Sequence, residues 1–198
     1  MKTDYHSALS EEKYQGDSIG FWVSAMNNSI SYATTLDVSK ISQLPKLYES
    51  CDVLYSEPMW EAGVSKFNQR AQISVEYETY MRNINTLCKT KPSIIVMGKK
   101  AQRYLTDAQH TLDVTLNGAP ARAYVYGFTM TRKLRECASA KDIVKHLATK
   151  FNRVGDFCCG YGRTGRIFYE NGKSFVQSDY NGKCIGYIKQ YYEDILEG

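Results

Sequence analysis

The feature that most constrains this chain is a glycine-rich segment near its C-terminus, Arg-Val-Gly-Asp-Phe-Cys-Cys-Gly-Tyr-Gly-Arg-Thr-Gly at positions 153–165. A predicted strand leads into this segment and a predicted helix follows it. Gly160, Gly162 and Gly165 satisfy the spacing G-x-G-x-x-G. Glycines in such a turn permit positive φ and a close approach of a ligand to the backbone, and the free N–H groups at the helix start attract anions. The segment therefore predicts a nucleoside-cofactor site.

An acidic residue further along the chain agrees with this prediction. Asp179 ends the next predicted strand, 19 residues after Gly160, about where a ribose-binding carboxylate is found in nucleotide-binding βαβ units. A dinucleotide domain would need a second set of alternating strands after Asp179. Only 19 residues remain there, which argues against such a domain.

Predicted strands alternate with predicted helices along the chain. The predicted strands are 29–36, 51–56, 93–97, 153–158 and 174–178, with a hairpin of 111–116 and 122–128 around Asn117-Gly118. The predicted helices are 10–28, 41–50, 66–88, 101–108, 139–151, 164–171 and 182–196, and Ser139 caps the fifth with Asp142 in its first turn. This order predicts an α/β fold with a mixed, mostly parallel sheet flanked by helices.

A second strand end also carries unusual residues. Positions 53–60 read Val-Leu-Tyr-Ser-Glu-Pro-Met-Trp, so a buried strand ends abruptly at Glu57-Pro58 and Trp60 follows. In α/β sheets ligands bind beyond the carboxyl ends of the strands. Segments 57–60 and 158–162 are therefore the candidate functional loops.

Composition bounds the possible classes of protein. The 198 residues, 43% hydrophobic and 23% charged, predict a single domain over 1–198, in which 1–48 completes the sheet and no separate target-recognition domain is present. No apolar run approaches the roughly 18 residues of a membrane span, and no signal peptide is recognisable, so we expect a cytoplasmic protein.

Six cysteines without a C-x-x-C pair and three histidines without ligand spacing predict no metal site. A net charge of +4 permits a nucleic-acid partner without requiring one.

The segment Asp-Phe-Cys-Cys-Gly-Tyr-Gly at 156–162 resembles the cofactor motif of S-adenosylmethionine-dependent methyltransferases. It is most similar to the Asp-Pro-Phe-Cys-Gly-x-Gly form of DNA amino-methyltransferases, which act on adenine N6 or cytosine N4. The resemblance implies a Rossmann-like methyltransferase fold with S-adenosylmethionine as cofactor. The cofactor-binding residues that it implies are Asp156, Phe157, Cys158, Gly160 and Gly162, with Asp179 at the ribose hydroxyls.

The tetrapeptide Glu57-Pro58-Met59-Trp60 resembles the second signature of that family, Asp/Asn/Ser-Pro-Pro-aromatic after the fourth strand. An exocyclic amine is a poor nucleophile because its lone pair is delocalised into the ring. A group that accepts hydrogen bonds from the N–H groups of the amine localises the lone pair on the nitrogen and directs it toward the methyl group. The resemblance gives this catalytic role to Glu57 and the Pro58 carbonyl, and it places Trp60 in a stack with a base that has left the duplex. Adenine N6 is the favoured acceptor.

The catalytic motif precedes the cofactor motif in this chain. That order is typical of the circularly permuted amino-methyltransferases. The resemblance then implies a chain that starts near the third strand of the fold, continues through the fourth to seventh and closes with the first two.

Two departures from the family pattern leave alternatives open. Glu57 is one methylene longer than Asp, and Met59 lacks the rigidity of the second proline. A displacement of about 1 Å can lower a rate roughly 100-fold. The alternatives are an alkyltransferase acting on another nucleophile (RNA, a protein amide or a small molecule), a catalytically altered or inactive binding or regulatory subunit, and an ordinary strand-end turn with a core tryptophan.

Basic residues suggest where a nucleic acid would bind. Clusters at 89–103 and 132–135 could follow phosphates, and Lys66, Asn68 and Arg70 could contact a flipped nucleotide. For each of these sets of residues, the alternative is an exposed surface that contacts only solvent. The expected partner is nucleic acid, DNA before RNA, and a protein partner or a second copy of the chain could supply selectivity.

Overall fold

The computed structural model describes residues 20–24, 30–35, 44–71, 74 and 76–197. The strands are β1 Gly20–Ser24, β2 Ile30–Thr35, β3 Val53–Ser56, β4 Ser93–Met97, β5 His110–Leu116, β6 Ala119–Tyr126, β7 Arg153–Asp156 and β8 Ser174–Asp179. The helices are α1 Leu44–Leu47, α2 Glu61–Ala71, α3 Tyr77–Cys88, α4 Arg132–Arg135, α5 Ala140–Ala148, α6 Arg163–Glu170 and α7 Gly182–Glu197, and a 3₁₀ helix spans Lys99–Arg103. Of the helices described, none has the length and apolar character needed to cross a membrane.

These strands form one sheet in the order β1-β2-β8-β7-β3-β4-β6-β5. The central strands β2, β8, β7, β3 and β4 are parallel, whereas β1, β6 and β5 each pair antiparallel with a neighbour. The prediction of an α/β fold with a mixed, mostly parallel sheet is confirmed. The hairpin prediction is also confirmed, because Asn117 and Gly118 adopt φ of 51° and 82° between β5 and β6, as a type I′ turn requires.

The strand order creates a crevice near the middle of the sheet. β7 leads to its neighbour β8 on one side, and β3 leads to its neighbour β4 on the other. The adjacent carboxyl ends of β7 and β3 therefore flank a topological switch point, where open α/β sheets bind ligands. The glycine-rich turn follows β7 and the Glu57–Trp60 segment follows β3, so the fold brings the two motifs together.

Helices cover both faces of the sheet, and alternate residues of each strand enter different cores. Tyr55 packs with α4 to α7, whereas its neighbour Leu54 packs with α2 and α3. The cap of α5 is as predicted. The Ser139 side chain accepts the Asp142 N–H, and the Asp142 carboxylate accepts the Ser139 N–H, which completes a capping box.

The predicted helix over 66–88 is wrong, since two helices occupy this region. α2 ends at Ala71, α3 begins at Tyr77, and Glu76 between them is extended with φ −69° and ψ 129°. The apolar residues that recur with helical spacing from Tyr77 onward lie on α3, whose buried residues include Tyr80 and Ile84. The segment between the helices contains β-branched Ile73 and Val75, which lower helix propensity.

Three other helix predictions also differ from the structure. Within 10–28 the described residues 20–24 form β1, because the sequence Phe-Trp-Val favours a strand that pairs with β2; the rest of that prediction lies outside the described residues. The helix predicted at 41–50 is only Leu44–Leu47 within the described residues. At 101–108, the expected helix is replaced by the 3₁₀ helix Lys99–Arg103.

Candidate active site

One carboxylate fixes the shape of the glycine-rich turn. Asp179, at the end of β8, accepts the Gly160 N–H at 2.9 Å with Oδ2 and the Asn181 N–H at 2.9 Å with Oδ1. Gly160 and Gly162 have φ of 49° and 76°, in the left-handed region that glycine tolerates. The predicted acid and the first of the predicted glycines, Gly160, are therefore in direct contact.

The turn has the form of a ligand cradle. A Cβ on Gly160 would meet no atom within 4 Å, so the space beside this residue is open, whereas a Cβ on Gly162 would lie 2.7 Å from Ile188 Cγ1. α6 begins immediately afterwards, with no side-chain cap and no acidic residue in its first turn. Its N-terminal amides and partial positive charge thus suit an anionic group.

Asp156, the last residue of β7, is a buried acid at the same edge. Its side chain is 2% exposed, and Oδ1 accepts hydrogen bonds from Ser56 Oγ at 2.9 Å and from the Cys158 N–H at 3.2 Å. Burial raises the pKa of Asp156 to about 7, and the charge of Glu57 adds to this rise, while hydrogen bonds from Thr164 and Ser56 oppose it. A cationic ligand group beside Asp156 would favour its ionised form.

Phe157 and Cys158 connect the turn to the interior. Phe157 is 1% exposed and packs edge-on against Tyr48, with ring centroids 6.4 Å apart. Cys158 Sγ lies 3.5 Å from the Tyr80 hydroxyl, which also accepts the Met59 N–H at 3.2 Å. Tyr80 thus joins the turn after β7 to the segment after β3.

Glu57, directly after β3, is held by three side-chain contacts. Arg163 Nη2 lies 2.6 Å from Oε1 and 2.5 Å from Oε2, and the Tyr55 hydroxyl donates to Oε1 at 2.7 Å. The second terminal nitrogen of the guanidinium, Nη1, donates to Asn117 Oδ1 at 3.0 Å in the β5–β6 turn. A carboxylate offers about four acceptor positions. Counting contacts from the described residues alone, one position, on Oε2, is left for a further N–H donor.

Trp60 lies at the surface rather than in the core. Trp60 is 39% exposed, so the core position that one alternative gives this tryptophan is wrong, whereas an ordinary role for the turn stays an alternative. The ring lines a groove of about 550 Å³ beside the end of β4. Other residues lining this groove, called the Trp60 groove below, include Tyr77, Gly98, Lys99, Lys100 and Tyr104. Pro58, between Glu57 and Trp60, is buried.

Acidic neighbours neutralise much of the predicted basic surface. The ion pairs are Lys89–Asp107 at 3.2 Å, Lys99–Asp113 at 3.0 Å, Arg103–Glu61 at 3.0 Å and Arg132–Glu136 at 2.7 Å. Within the described part of the chain, Lys100, Lys133 and Arg135 have no acidic partner. Fewer basic side chains are thus unpaired than the sequence suggests.

The residues predicted to contact a flipped nucleotide lie on α2. Lys66 is exposed, Asn68 is half-buried, and the side chain of Arg70 lies outside the described part. Lys66 and Asn68 do not line the Trp60 groove. Their role in substrate binding stays a prediction.

The sequence analysis did not identify Arg163, Tyr55 or Asn117 as residues of the candidate site. One signal was available for Arg163. A cation in the first turn of a helix opposes the macrodipole, so an arginine there indicates a nearby anion. No group of three or more potential metal ligands is found in the described ranges.

Comparisons with known proteins bear on the fold. No protein-family profile and no curated protein matches the sequence. Among solved structures, M1.HpyAVI is similar with a TM-score of 0.53 and 10% identity, over 81% of this chain and 98% of that one, both in a structure without a named ligand and in its SAM complex. TTHA0409 of Thermus thermophilus, assigned as a DNA modification methylase and solved with S-adenosyl-L-methionine, gives a TM-score of 0.51 and 12% identity over 80% of this chain and 91% of that one. The chain therefore shares its Rossmann-like fold with these two proteins.

Proposed function

We propose that this protein is an S-adenosylmethionine-dependent methyltransferase that acts on an exocyclic amino group of a nucleic-acid base, with adenine N6 favoured. The observation that carries the proposal is the meeting of two motifs at the β7/β3 switch point. Asp156 of the first accepts a hydrogen bond from Ser56, which immediately precedes Glu57 of the second. The fold, shared with proteins solved in complex with this cofactor, supports the same function.

The residues of the cradle fit the groups of S-adenosylmethionine, which when bound supplies a methyl group on a sulfonium sulfur. Asp156 would hold the ammonium of the methionine part, and the first-turn amides of α6 would hold its carboxylate. Asp179 would accept the ribose hydroxyls with the lone pairs that its two backbone contacts leave free. Gly160 leaves room for this approach.

Glu57 supplies the chemistry on the substrate side. The Oε2 acceptor position that Arg163 leaves available would take one N–H of the target amine, and the Pro58 carbonyl would take the other. Accepting both bonds localises the nitrogen lone pair. Arg163 keeps the longer glutamate side chain in one orientation, and Trp60, three residues further on, offers its ring to the base.

We also infer that the fold is circularly permuted. β7 and β8, which carry the cofactor residues, come last in the chain yet lie at the centre of the sheet beside β3. β2 lies next to β8, the position of the third strand in the order that the resemblance implies. A chain in which strands three to seven of the methyltransferase fold come first and strands one and two come last accounts for this arrangement.

The test combines calorimetry with methyl transfer to adenine-containing oligonucleotides. We expect micromolar S-adenosylmethionine binding, and we expect Glu57→Ala to abolish transfer while cofactor affinity changes by no more than a few-fold. Glu78→Ala, at an exposed glutamate of α3, is the matched control and should retain full activity. Turnover retained in Glu57→Ala would remove Glu57 from the mechanism.

A regulatory or binding subunit is the second candidate function. The observation that favours it is that Arg163 contacts both oxygens of Glu57 and the Tyr55 hydroxyl donates to Oε1, so that these contacts together occupy three of the roughly four acceptor positions of that carboxylate. Under this alternative the purified chain shows no turnover alone and restores or alters the activity of a larger methyltransferase with which it co-purifies.

A further inference from the structure

We propose that Tyr80 is a positioning residue for the reaction, because its hydroxyl fixes the Pro58–Met59 peptide and thereby holds the Pro58 carbonyl toward the target amine. The inference rests on the proposed function, in which that carbonyl accepts an N–H of the amine. It gives a buried residue of α3, which the sequence analysis did not place in the site, the rigidifying role that a second proline has in the related motif.

Met59 changes the hydrogen bonding of this segment. A proline has a fixed φ and no N–H, whereas the methionine at position 59 has a freer φ and one N–H. In the structure this N–H donates to the Tyr80 hydroxyl oxygen at 3.2 Å. A backbone N–H directed into the protein needs an acceptor. The Tyr80 hydroxyl is that acceptor, so the departure from the motif and the tyrosine that compensates for it occur together.

The peptide group transmits this contact to the Pro58 carbonyl. The carbonyl of Pro58 and the N–H of Met59 belong to one planar trans peptide group, so the two bonds point in opposite directions. A contact that fixes the direction of the N–H therefore fixes the direction of the carbonyl. Donation by the N–H also polarises the peptide group and strengthens its carbonyl as an acceptor, by about 10–30% per bond.

The two ends of the same segment are held by other contacts. Arg163 binds the Glu57 carboxylate at one end. At the other end the Trp60 carbonyl accepts two N–H groups from the first turn of α2, at 2.7 and 3.1 Å. The Tyr80 hydroxyl acts between these ends, on the Pro58–Met59 peptide. The three contacts together fix the acid, the carbonyl and the backbone at the aromatic residue.

Tyr80 is itself rigidly placed and also contacts the cofactor turn. It is 3% exposed, and its backbone N–H donates to the Glu76 carbonyl at 3.0 Å in α3. Its hydroxyl lies 3.5 Å from Cys158 Sγ. A phenolic hydroxyl accepts and donates at the same time, so it can accept from Met59 and donate to the sulfur. The orientation of the Pro58 carbonyl is thus linked to the turn proposed to hold the cofactor.

A second tyrosine provides a matched control for a purely structural role of the hydroxyl. Tyr126 is also 3% exposed, and its hydroxyl donates to Asn85 Oδ1 at 2.9 Å on the same helix, α3. Removal of either hydroxyl costs one buried hydrogen bond on α3. The Tyr80 hydroxyl differs in that its partner belongs to the segment proposed to act on the substrate.

The experiment measures methyl transfer to adenine-containing oligonucleotides, cofactor affinity and urea unfolding for each variant. Tyr80→Phe should lower kcat at least about tenfold, because a displacement of about 1 Å can lower a rate about 100-fold. KM and the dissociation constant of S-adenosylmethionine should each change less than about threefold, as expected when the lost interaction acts in the transition state. Tyr126→Phe should keep kcat within about twofold of the wild type at a similar loss of stability.

A rescue experiment tests the equivalence of Tyr80 and a second proline. Met59→Pro removes the N–H and fixes φ, so in that background Tyr80→Phe should lower kcat less than about threefold. Met59→Leu keeps the N–H and should preserve the full loss. Selective ¹⁵N-methionine labelling gives a measurement that does not depend on the proline variant. The Met59 amide should exchange its hydrogen at least about tenfold faster in Tyr80→Phe than in the wild type.

Three results, each with wild-type turnover intact, would overturn this inference alone. They are a kcat of Tyr80→Phe within about twofold of the wild type, an equal loss of kcat in Tyr80→Phe and Tyr126→Phe, and a Met59 amide whose exchange does not change in Tyr80→Phe. A loss of kcat that persists undiminished in a folded Met59→Pro protein would also overturn it. Absence of turnover in the wild-type protein would overturn the proposed function and, with it, this role of Tyr80.

Discussion

Nη2 of Arg163 lies 2.6 Å from Oε1 and 2.5 Å from Oε2 of Glu57, although 106 residues separate the two in sequence. Arg163 is the first residue of α6, and Glu57 follows β3. The pair therefore connects the turn proposed to hold the cofactor with the segment proposed to act on the substrate. The guanidinium and the Tyr55 hydroxyl also fix the orientation of a side chain that is longer than the aspartate of the related motif.

The first prediction concerns the strength of this pair. A double-mutant cycle of Glu57→Gln and Arg163→Gln, measured by urea unfolding, should give a coupling free energy of about 1 kcal/mol, at the upper end of the range for exposed pairs. The Glu57 side chain is only 20% exposed, so water screens the pair less. The control is Lys189–Glu193, about half exposed, with an expected coupling of at most about 0.5 kcal/mol. Equal coupling in the two cycles would contradict a special role for Arg163.

The second prediction concerns the pH dependence of stability. Burial raises the pKa of Asp156 to about 7 in the folded protein, against about 3.9 in an unfolded chain. Between these values the folded state binds more protons, so the free energy of unfolding should decrease as pH rises from about 4 to 7. Asp156→Asn should flatten this slope. Asp107→Asn is the control, because hydrogen bonds from Asn85 and Lys89 lower the pKa of that exposed acid; it should leave the slope over about pH 5–8 unchanged.

The third prediction concerns Asp179, whose two oxygens accept backbone N–H groups from Gly160 and Asn181. Asp179→Ala should weaken S-adenosylmethionine binding by on the order of 1–3 kcal/mol, because polar partners lose their acceptor. Asp179→Asn, which retains one acceptor oxygen, should have an intermediate effect in the same calorimetric titration. An unchanged dissociation constant in the alanine variant would place the ribose acid elsewhere.

Local signals in the sequence predicted much of the sheet and the position of the glycine-rich turn after β7. The apolar run Ser93–Met97 is fully buried as β4, and Ser139 caps α5 as expected. These features depend on residues that are neighbours in sequence. The break between α2 and α3 was not predicted, because apolar residues upstream of α3 continue its spacing and periodicity alone does not mark where a helix ends.

The contacts that unite the site could not be read from the sequence in the same way. The Arg163–Glu57 pair, the Tyr80 link to Met59 and Cys158, and the pairing of the basic surface depend on strand order. Strand order brings together segments with no shared pattern. The number of unpaired basic side chains could not be predicted for the same reason, since a count of basic residues does not include their acidic neighbours.

The last prediction separates the conformational and steric requirements at the glycine-rich turn. Gly160→Ala should lower the free energy of unfolding by about 1–2 kcal/mol, the cost of placing a Cβ in the left-handed region, because no atom lies within 4 Å of that Cβ. Gly162→Ala should be more costly, since its Cβ would lie 2.7 Å from Ile188 Cγ1, and Ile188→Ala should remove most of the difference. Gly118→Ala, with φ of 82° and open space in the β5–β6 turn, is the matched control. It should cost about as much stability as Gly160→Ala and leave cofactor affinity unchanged, whereas Gly160→Ala should weaken the cofactor; equal cofactor affinity in the two variants would argue against a ligand cradle at Gly160.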